Sequence, residues 1–175
     1  MKKNILVVDD SALMRRVECD IINSDNNFQA TDVCRDGMEA YEKLKTTSYD
    51  GVVLDVNMPR MDGLQLLEKL QNDGIKANVI MVSTLTSKDA EITILAMERG
   101  AIDFVTKPNN IIEAKGQDFR ENLLSVLSAV LKTKSNSRVQ RRIGTNVENV
   151  GTDTNVSTKI QRSARTHTTA STLPT

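Results

Sequence analysis

Short apolar runs alternate with segments of helical periodicity along residues 1–131. The runs are rich in β-branched residues, which predicts strands near 5–8, 28–34, 52–55, 78–83 and 102–106. Apolar residues recur at helical spacing between the runs, which predicts helices near 12–23, 38–44, 62–72, 87–99 and 119–131. Strands that are nearly continuously apolar and alternate with helices predict an α/β fold, in which helices cover both faces of a five-stranded parallel sheet.

Polar residues and glycines at the ends of the runs indicate where the helices begin and end. Ser11 is placed to cap the first helix, whose apolar face is predicted to hold Leu13, Met14, Val17, Ile21 and Ile22. In the same way, Asp62 is placed to cap the third helix, and Gly100 fits the end of the fourth.

The zero net charge of the chain hides an uneven distribution. Residues 1–131 hold 15 Lys/Arg and 21 Asp/Glu, whereas residues 132–175 hold 8 and 2. The second segment is also rich in Ser, Thr and Asn and has no aromatic residue. We therefore predict an acidic globular domain over 1–131, followed by a flexible basic linker or tail over 132–175.

Composition argues against several classes of function. No apolar stretch is long enough to cross a membrane or to act as a signal peptide, which favours a cytoplasmic protein without membrane insertion. Cys19 and Cys34 are too few for a disulfide scaffold, and His167, the single histidine, lies in the tail. The dispersed charges of the tail, without interleaved aromatic residues, argue against nucleic-acid binding.

The reactive side chains follow the predicted strands. Asp9 and Asp10 follow the first strand, Asp55 ends the third, Ser83 and Thr84 follow the fourth, and Lys107 follows the fifth. Because the carboxyl ends of parallel strands meet at one edge of a sheet, we expect these groups to form one site.

Three carboxylates without a thiol or an imidazole suit Mg²⁺, or Mn²⁺, as the metal cofactor. Asp55 alone could be a metal ligand, a base or a nucleophile. With a divalent cation and Lys107 to neutralise charge, its attack on a phosphoryl group would give an acyl phosphate. Ser83 or Thr84 could then donate a hydrogen bond to a phosphate oxygen.

The residues in these positions closely resemble those of the receiver domains of two-component response regulators. The resemblance rests on Asp9-Asp10, the stretch from Asp55 to Gly63, Ser83 and Lys107-Pro108. It implies a flavodoxin-like (CheY-like), doubly wound sheet of strand order 2-1-3-4-5.

The same resemblance implies a role for each residue of the site. Asp55 would accept phosphate from a histidine kinase, and Lys107 would contact that phosphate. The Mg²⁺ ligands would be Asp10, Asp55 and the backbone carbonyl of Asn57, with Asp9 acting mainly through water. Ser83 would be the switch hydroxyl and Phe104 the rotating aromatic residue. The Lys107–Pro108 peptide bond would be cis.

A finer resemblance, to the receivers of chemotaxis methylesterases (the CheB family), lies in residues 9–16, 81–86, 90–93 and 100–108. It implies a CheA-like kinase as phosphodonor and an output domain that demethylates chemoreceptors. The esterase activity itself is not expected of this chain, since no Gly-x-Ser-x-Gly motif is present.

Other functions compete with this interpretation. The chain could be a stand-alone receiver with a disordered tail. A phosphatase with an aspartyl nucleophile would need a second acid two residues after Asp55, where Asn57 stands. A flavin-binding module would need a phosphate-binding loop after the first strand, and a transcription factor would need a helix-turn-helix after residue 131. Neither is found in the sequence.

Overall fold

The computed structural model describes residues 1–84 and 89–132. The strands are β1 (Lys3–Val8), β2 (Phe28–Cys34), β3 (Gly51–Asp55), β4 (Val79–Ser83) and β5 (Asp103–Thr106). The helices are α1 (Ala12–Asn23), α2 (Gly37–Thr46), α3 (Gly63–Asn72), α4 (Asp89–Glu98), α5 (Ile111–Ala114) and α6 (Gln117–Lys132). The predicted flexible tail lies outside the described residues from 133 onward, as does the predicted start of the fourth helix.

The five strands form one parallel sheet of order β2-β1-β3-β4-β5, so the predicted fold class is confirmed. Alternate residues of β1 point to opposite faces, and both faces are covered. Ile5 and Val7 pack with α1 and α6, whereas Leu6 and Val8 pack with α2 and α3. The double coverage explains why the strands are nearly continuously apolar, because each such side chain contributes roughly 1.5–3 kcal/mol when it is buried.

The structure contains a helix that the sequence pattern did not predict. Helix α5 has only four residues, which is too short to show a periodicity. The side chain of Asn110 caps it by accepting a hydrogen bond from the backbone N–H of Glu113 at 2.9 Å. The helix that was predicted to begin near Phe119 is therefore α6, and it begins at Gln117.

The apolar face of α1 differs from the prediction at two positions. Leu13 was predicted to lie on this face, but its side chain is exposed. Glu18 lies there instead, together with Met14, Val17, Ile21 and Ile22. The helical period explains both findings, because positions 14, 17, 18, 21 and 22 share one face, whereas position 13 lies at its edge.

The predicted helix ends at Ser11, Asp62 and Gly100 are confirmed. Ser11 accepts a hydrogen bond from the N–H of Met14, and Asp62 forms a capping box with Gln65. Gly100 follows α4 with a φ of 98°, a left-handed conformation that favours glycine. Within the described residues, no helix is both long and apolar enough to cross a membrane.

Candidate functional site

The carboxyl ends of four strands bring the polar residues of the site together. Asp9 directly follows β1, Asp55 and Ser83 are the last residues of β3 and β4, and Lys107 directly follows β5. Strands β3 and β4 end at nearly the same level of the sheet, as the pairing of Asp55 with Val82 shows. The expectation that these side chains lie at one edge of the sheet therefore agrees with the structure.

Lys107 forms the centre of this group. Its ammonium group lies 2.6 Å from an Asp9 carboxylate oxygen and 3.0 Å from an Asp55 carboxylate oxygen. The Asp9 side chain is fully buried, that of Asp55 is 5% exposed and that of Lys107 is 12% exposed. One cation thus bridges two buried anions, which offsets part of the cost of removing their charges from water.

The electrostatics of the site perturb two of these groups. Burial, reinforced by the nearby negative charge of Asp9, raises the pKa of Asp55 to about 6, although Lys107 opposes the shift. Burial alone would lower the pKa of Lys107. Its hydrogen bonds and its attraction to Asp9 and Asp55 outweigh that effect and hold this pKa above the ordinary value for lysine.

Three carboxylates of the site are close enough to share one cation. Asp9, Asp10 and Asp55 each offer an oxygen, and these oxygens lie within 4.8 Å of one another. A pocket of about 410 Å³ opens over Asp10 and Asp55 and is also lined by Asn57 and Lys107. This set of oxygen donors fits a hard divalent cation such as Mg²⁺.

Hydrogen bonds between side chains and the backbone fix the loop between β1 and α1. The N–H of Ser11 donates to a carboxylate oxygen of Asp9 at 2.7 Å. The Arg15 guanidinium donates to the backbone carbonyls of Asp9 and Asp10, at 2.7 and 3.1 Å. The backbone that carries both aspartates is therefore held in place by the hydrogen bonds of Ser11 and Arg15.

The loop after Asp55 turns away through Gly63. A Cβ atom at Gly63 would lie 2.4 Å from the Asp55 carbonyl oxygen, a separation that no side chain can take. The N–H of Gly63 donates to the carbonyl of Val56 at 2.9 Å, and the N–H of Asn57 donates to Asp55. Glycine at this position therefore lets α3 begin close behind the Asp55 backbone.

The two candidate hydroxyls after β4 lie in different environments. Ser83 is fully buried, and its hydroxyl donates a long hydrogen bond of 3.5 Å to the Thr84 carbonyl. Thr84 is half-buried and lines the pocket beside Asp55. The N–H of Lys107 donates to the Ser83 carbonyl at 2.7 Å, which ties the ends of β4 and β5 together.

Two further expectations concern β5 and its end. Phe104 is half-buried and packs against the core cluster that includes Met81. The Lys107–Pro108 bond was expected to be cis, but no cis peptide bond occurs among the described residues. A bond to proline tolerates both isomers, since they differ by only about 0.5–1 kcal/mol.

Reasoning from the sequence missed several charged residues around the site. Arg15 was not singled out, although it holds the backbone of both aspartates. Arg60, in the loop that follows Asp55, forms an ion pair with Asp36. Glu18 is buried, and Asp9, Lys107 and Asp55 influence its pKa. Only Glu18 had a signal in the sequence, namely its position on the apolar face of α1.

Comparison with known proteins decides the family. Residues 5–115 match the family model described as the response regulator receiver domain. The chain belongs to this receiver family. The match covers both aspartates of the β1–α1 loop, Asp55, Ser83 and Lys107.

Curated relatives of this receiver are methylesterases. The protein-glutamate methylesterase/protein-glutamine glutaminase of Pyrococcus abyssi is 42% identical over 142 residues, which are 81% of this chain and 38% of that protein. The enzyme of the same name from Thiobacillus denitrificans is 48% identical over 114 residues, covering 65% of this chain and 32% of that protein. The chain thus spans only about a third of the length of these relatives.

Solved structures also indicate the receiver fold and a similarity to CheB. The response regulator domain of Thermotoga maritima CheB superposes with a TM-score of 0.64 at 35% identity, over 79% of this chain and all of that domain. A CheX–CheY–BeF3–Mg complex from Borrelia burgdorferi gives a TM-score of 0.58 at 31% identity, over 71% of this chain and 88% of that chain. The receiver described above therefore has the CheY-like fold and is similar to CheB receivers.

Proposed function

We propose that this receiver takes a phosphoryl group from a histidine kinase onto Asp55 in a two-component chemotaxis phosphorelay. The observation that carries the proposal is the position of Asp55, whose carboxylate lines the pocket while Lys107 contacts it at 3.0 Å. This geometry supports attack by an Asp55 oxygen on the phosphorus of a phosphohistidine. The P–N bond breaks, an acyl phosphate forms and the histidine leaves.

The residues of the site would also hold the metal ion and contact the phosphoryl group. Asp10, Asp55 and the backbone carbonyl of Asn57 would hold Mg²⁺, or Mn²⁺, with Asp9 acting through water. The cation would neutralise charge on the incoming phosphoryl group. Lys107, now held by Asp9 and Asp55, would contact a phosphate oxygen. The similar CheY complex from Borrelia burgdorferi contains Mg, which supports this assignment of the metal.

The experiment that tests this proposal is labelling with acetyl phosphate and Mg²⁺, followed by mass spectrometry of the intact protein. The wild type should gain one phosphoryl group that hydroxylamine removes, and chelation of the metal should prevent labelling. Asp55→Asn should not be labelled, whereas Asp73→Asn, at the exposed end of α3, should be labelled like the wild type. An unchanged yield in Asp55→Asn would overturn the proposal.

The phosphoryl group would act on a face formed by α4, β5 and α6. Ser83 would move toward the phosphate and Phe104 would rotate inward behind it. Ile94, Met97 and Ile102 expose apolar side chains in and just after α4, which supports a role of this face in binding a protein partner. Phosphorylation should change hydrogen exchange in α4 of the wild type, and this response should be lost in Ser83→Ala.

The similarity to methylesterases suggests what the switch controls. We infer that phosphorylation regulates a methylesterase output domain, in the same or a separate chain, that acts on chemoreceptors in the cytoplasm. A CheA-like kinase would be the phosphodonor. Adding the phosphorylated and unphosphorylated receiver to a methylesterase catalytic domain, and measuring demethylation of receptors, tests this step. Equal rates would favour a stand-alone receiver over residues 1–131 with 132–175 as its tail.

A further inference from the structure

Arg60 has the only positive φ of a residue other than glycine among the described residues, at 63°. Residues with a Cβ atom rarely adopt this backbone conformation, which costs on the order of 1 kcal/mol. Arg60 lies between Asp55 and Gly63, in the loop that carries Asn57. A strained residue in this loop needs an interaction that holds it in place.

That interaction is an ion pair with Asp36. The Arg60 guanidinium donates a hydrogen bond to one Asp36 oxygen, and the Asp36 side chain is only 1% exposed. The other oxygen of Asp36 accepts a hydrogen bond from the N–H of Glu39 at 3.0 Å and so caps α2. Burial alone would raise the pKa of Asp36, but these donors outweigh it and hold this pKa below its ordinary value.

A second connection joins the same loop to the start of α2. The N–H of Gly37 donates to the carbonyl of Met61 at 2.9 Å. A Cβ atom at Gly37 would lie 2.6 Å from that carbonyl oxygen, so the two backbones are in direct contact. The consecutive residues Asp36 and Gly37 thus hold the consecutive residues Arg60 and Met61.

The other end of the loop is held at the site itself, where the N–H of Gly63 donates to the carbonyl of Val56 at 2.9 Å. The backbone from Val56 to Gly63 is therefore fixed at both ends. Asn57 lies within this span and lines the pocket over the carboxylates. Arg60 and Asn57 thus belong to one short loop that this hydrogen bond closes.

We propose that Arg60 and Asp36 are positioning residues of the acidic site, and that their ion pair sets the loop backbone for binding of a divalent cation. The inference rests on the proposed function and names the residues that position its cation site. Neither residue touches the cation or the phosphoryl group, and both act through the position of Asn57. Loss of the pair should weaken cation binding by roughly tenfold, as expected for groups that orient the ligands of a metal.

The test compares three variants by direct binding of Mn²⁺, measured from the electron paramagnetic resonance signal of the free ion. Arg60→Gln and Asp36→Asn each break the pair, and asparagine can still cap α2. Arg16→Gln is the control, because Arg16 pairs with Asp20 at 3.3 Å on the exposed side of α1 and, within the described part of the chain, forms no ion pair with the loop. The first two should bind Mn²⁺ about tenfold more weakly, and the control should bind like the wild type.

Phosphorylation provides a second readout. The Mg²⁺ concentration for half-maximal labelling by acetyl phosphate should rise in Arg60→Gln and Asp36→Asn, while the rate at saturating Mg²⁺ should stay near that of the wild type. Arg60→Lys keeps the charge and should restore most of the Mn²⁺ affinity. A general loss of structure would instead lower the saturating rate as well.

Arg60→Gly removes the side chain and also relieves the positive φ, so it should stay folded if another variant does not. Wild-type Mn²⁺ affinity in folded Arg60→Gly would overturn the inference about the ion pair. A different result would overturn the proposed function, namely a wild type that binds Mn²⁺ but whose Asp55 is not labelled. The two failures are therefore distinguishable.

Discussion

Replacement of Glu18 by methionine should make the domain more stable. The side chain of Glu18 is enclosed on the apolar face of α1 beside Met14, Val17 and Ile21. Neither of its carboxyl oxygens has a hydrogen-bond partner within the described part of the chain. Burial of a polar group without a partner costs about 1–3 kcal/mol, and methionine of similar length would remove that cost.

The charges around Glu18 oppose its ionisation. Burial raises its pKa well above the ordinary value, and the negative charges of Asp9 and Asp55 raise it further. Lys107 and Arg15 lower it without cancelling the shift. Folding thus favours the protonated form, and the stability associated with Glu18 is full below its unfolded pKa and falls as the pH rises through its folded pKa.

The expected gain for Glu18→Met near neutral pH is roughly 2 kcal/mol in the free energy of unfolding. For a domain of this size it corresponds to an increase in Tm of about 5–10 °C. Glu18→Gln keeps the shape of the side chain and removes only its titration. The difference in stability between Glu18→Gln and the wild type should therefore grow as the pH rises above the ordinary pKa of a glutamate.

Urea unfolding followed by circular dichroism is the suitable assay, because the chain contains no tryptophan. Measurements with a chelator and with Mg²⁺ separate this effect from that of a bound cation. Glu42→Gln, which removes an exposed carboxylate that pairs with Lys45, serves as control and should change stability by less than about 0.5 kcal/mol. A destabilised Glu18→Met, or a pH-independent difference for Glu18→Gln, would refute the reasoning.

Two further predictions concern the site and its support. Lys107→Met removes the cation that opposes the upward shift at Asp55, so the pKa of Asp55 in the metal-free protein should rise above about 6; a fall in a carboxyl-carbon NMR titration would contradict this. Gly63→Ala places a Cβ atom against the Asp55 carbonyl oxygen and should cost roughly 1–3 kcal/mol in urea unfolding and also reduce phosphorylation. Gly51→Ala, whose Cβ atom would meet only side-chain ends, is its control, and equal losses in both variants would contradict the special role of Gly63.

The strands and the ends of the strands were predictable because their signals are local. A continuous apolar run that ends on Asp55 indicates both a strand and the position of the carboxylate, and parallel pairing brings such ends together. The same reasoning placed Asp9 and Lys107 correctly at one edge of the sheet. It could not predict that Lys107 would lie between Asp9 and Asp55, since that contact joins residues 98 and 52 positions apart.

The supporting contacts were not predictable for a similar reason. Arg60 is an ordinary loop arginine in the sequence, and no local signal predicts its positive φ or its ion pair with Asp36, which lies 24 positions away. Leu13 and Glu18 show the limit of polarity as a guide, because the helical period buries position 18 and exposes position 13. At both positions the helical period, and not the polarity of the residue, decides whether the side chain is buried. A buried carboxyl group then has a free-energy cost that the rest of the fold must offset.

The formal charges of the acidic site suggest why the free-energy cost of burying Glu18 is tolerated beside it. Three carboxylates and one ammonium give a formal charge of −2 when all are ionised, which one divalent cation would balance. An ionised Glu18 behind them would add another negative charge in a region of low dielectric, where like charges strongly repel. A protonated Glu18 leaves the balance unchanged. Glu18→Gln should therefore bind Mn²⁺ like the wild type as long as Glu18 stays protonated.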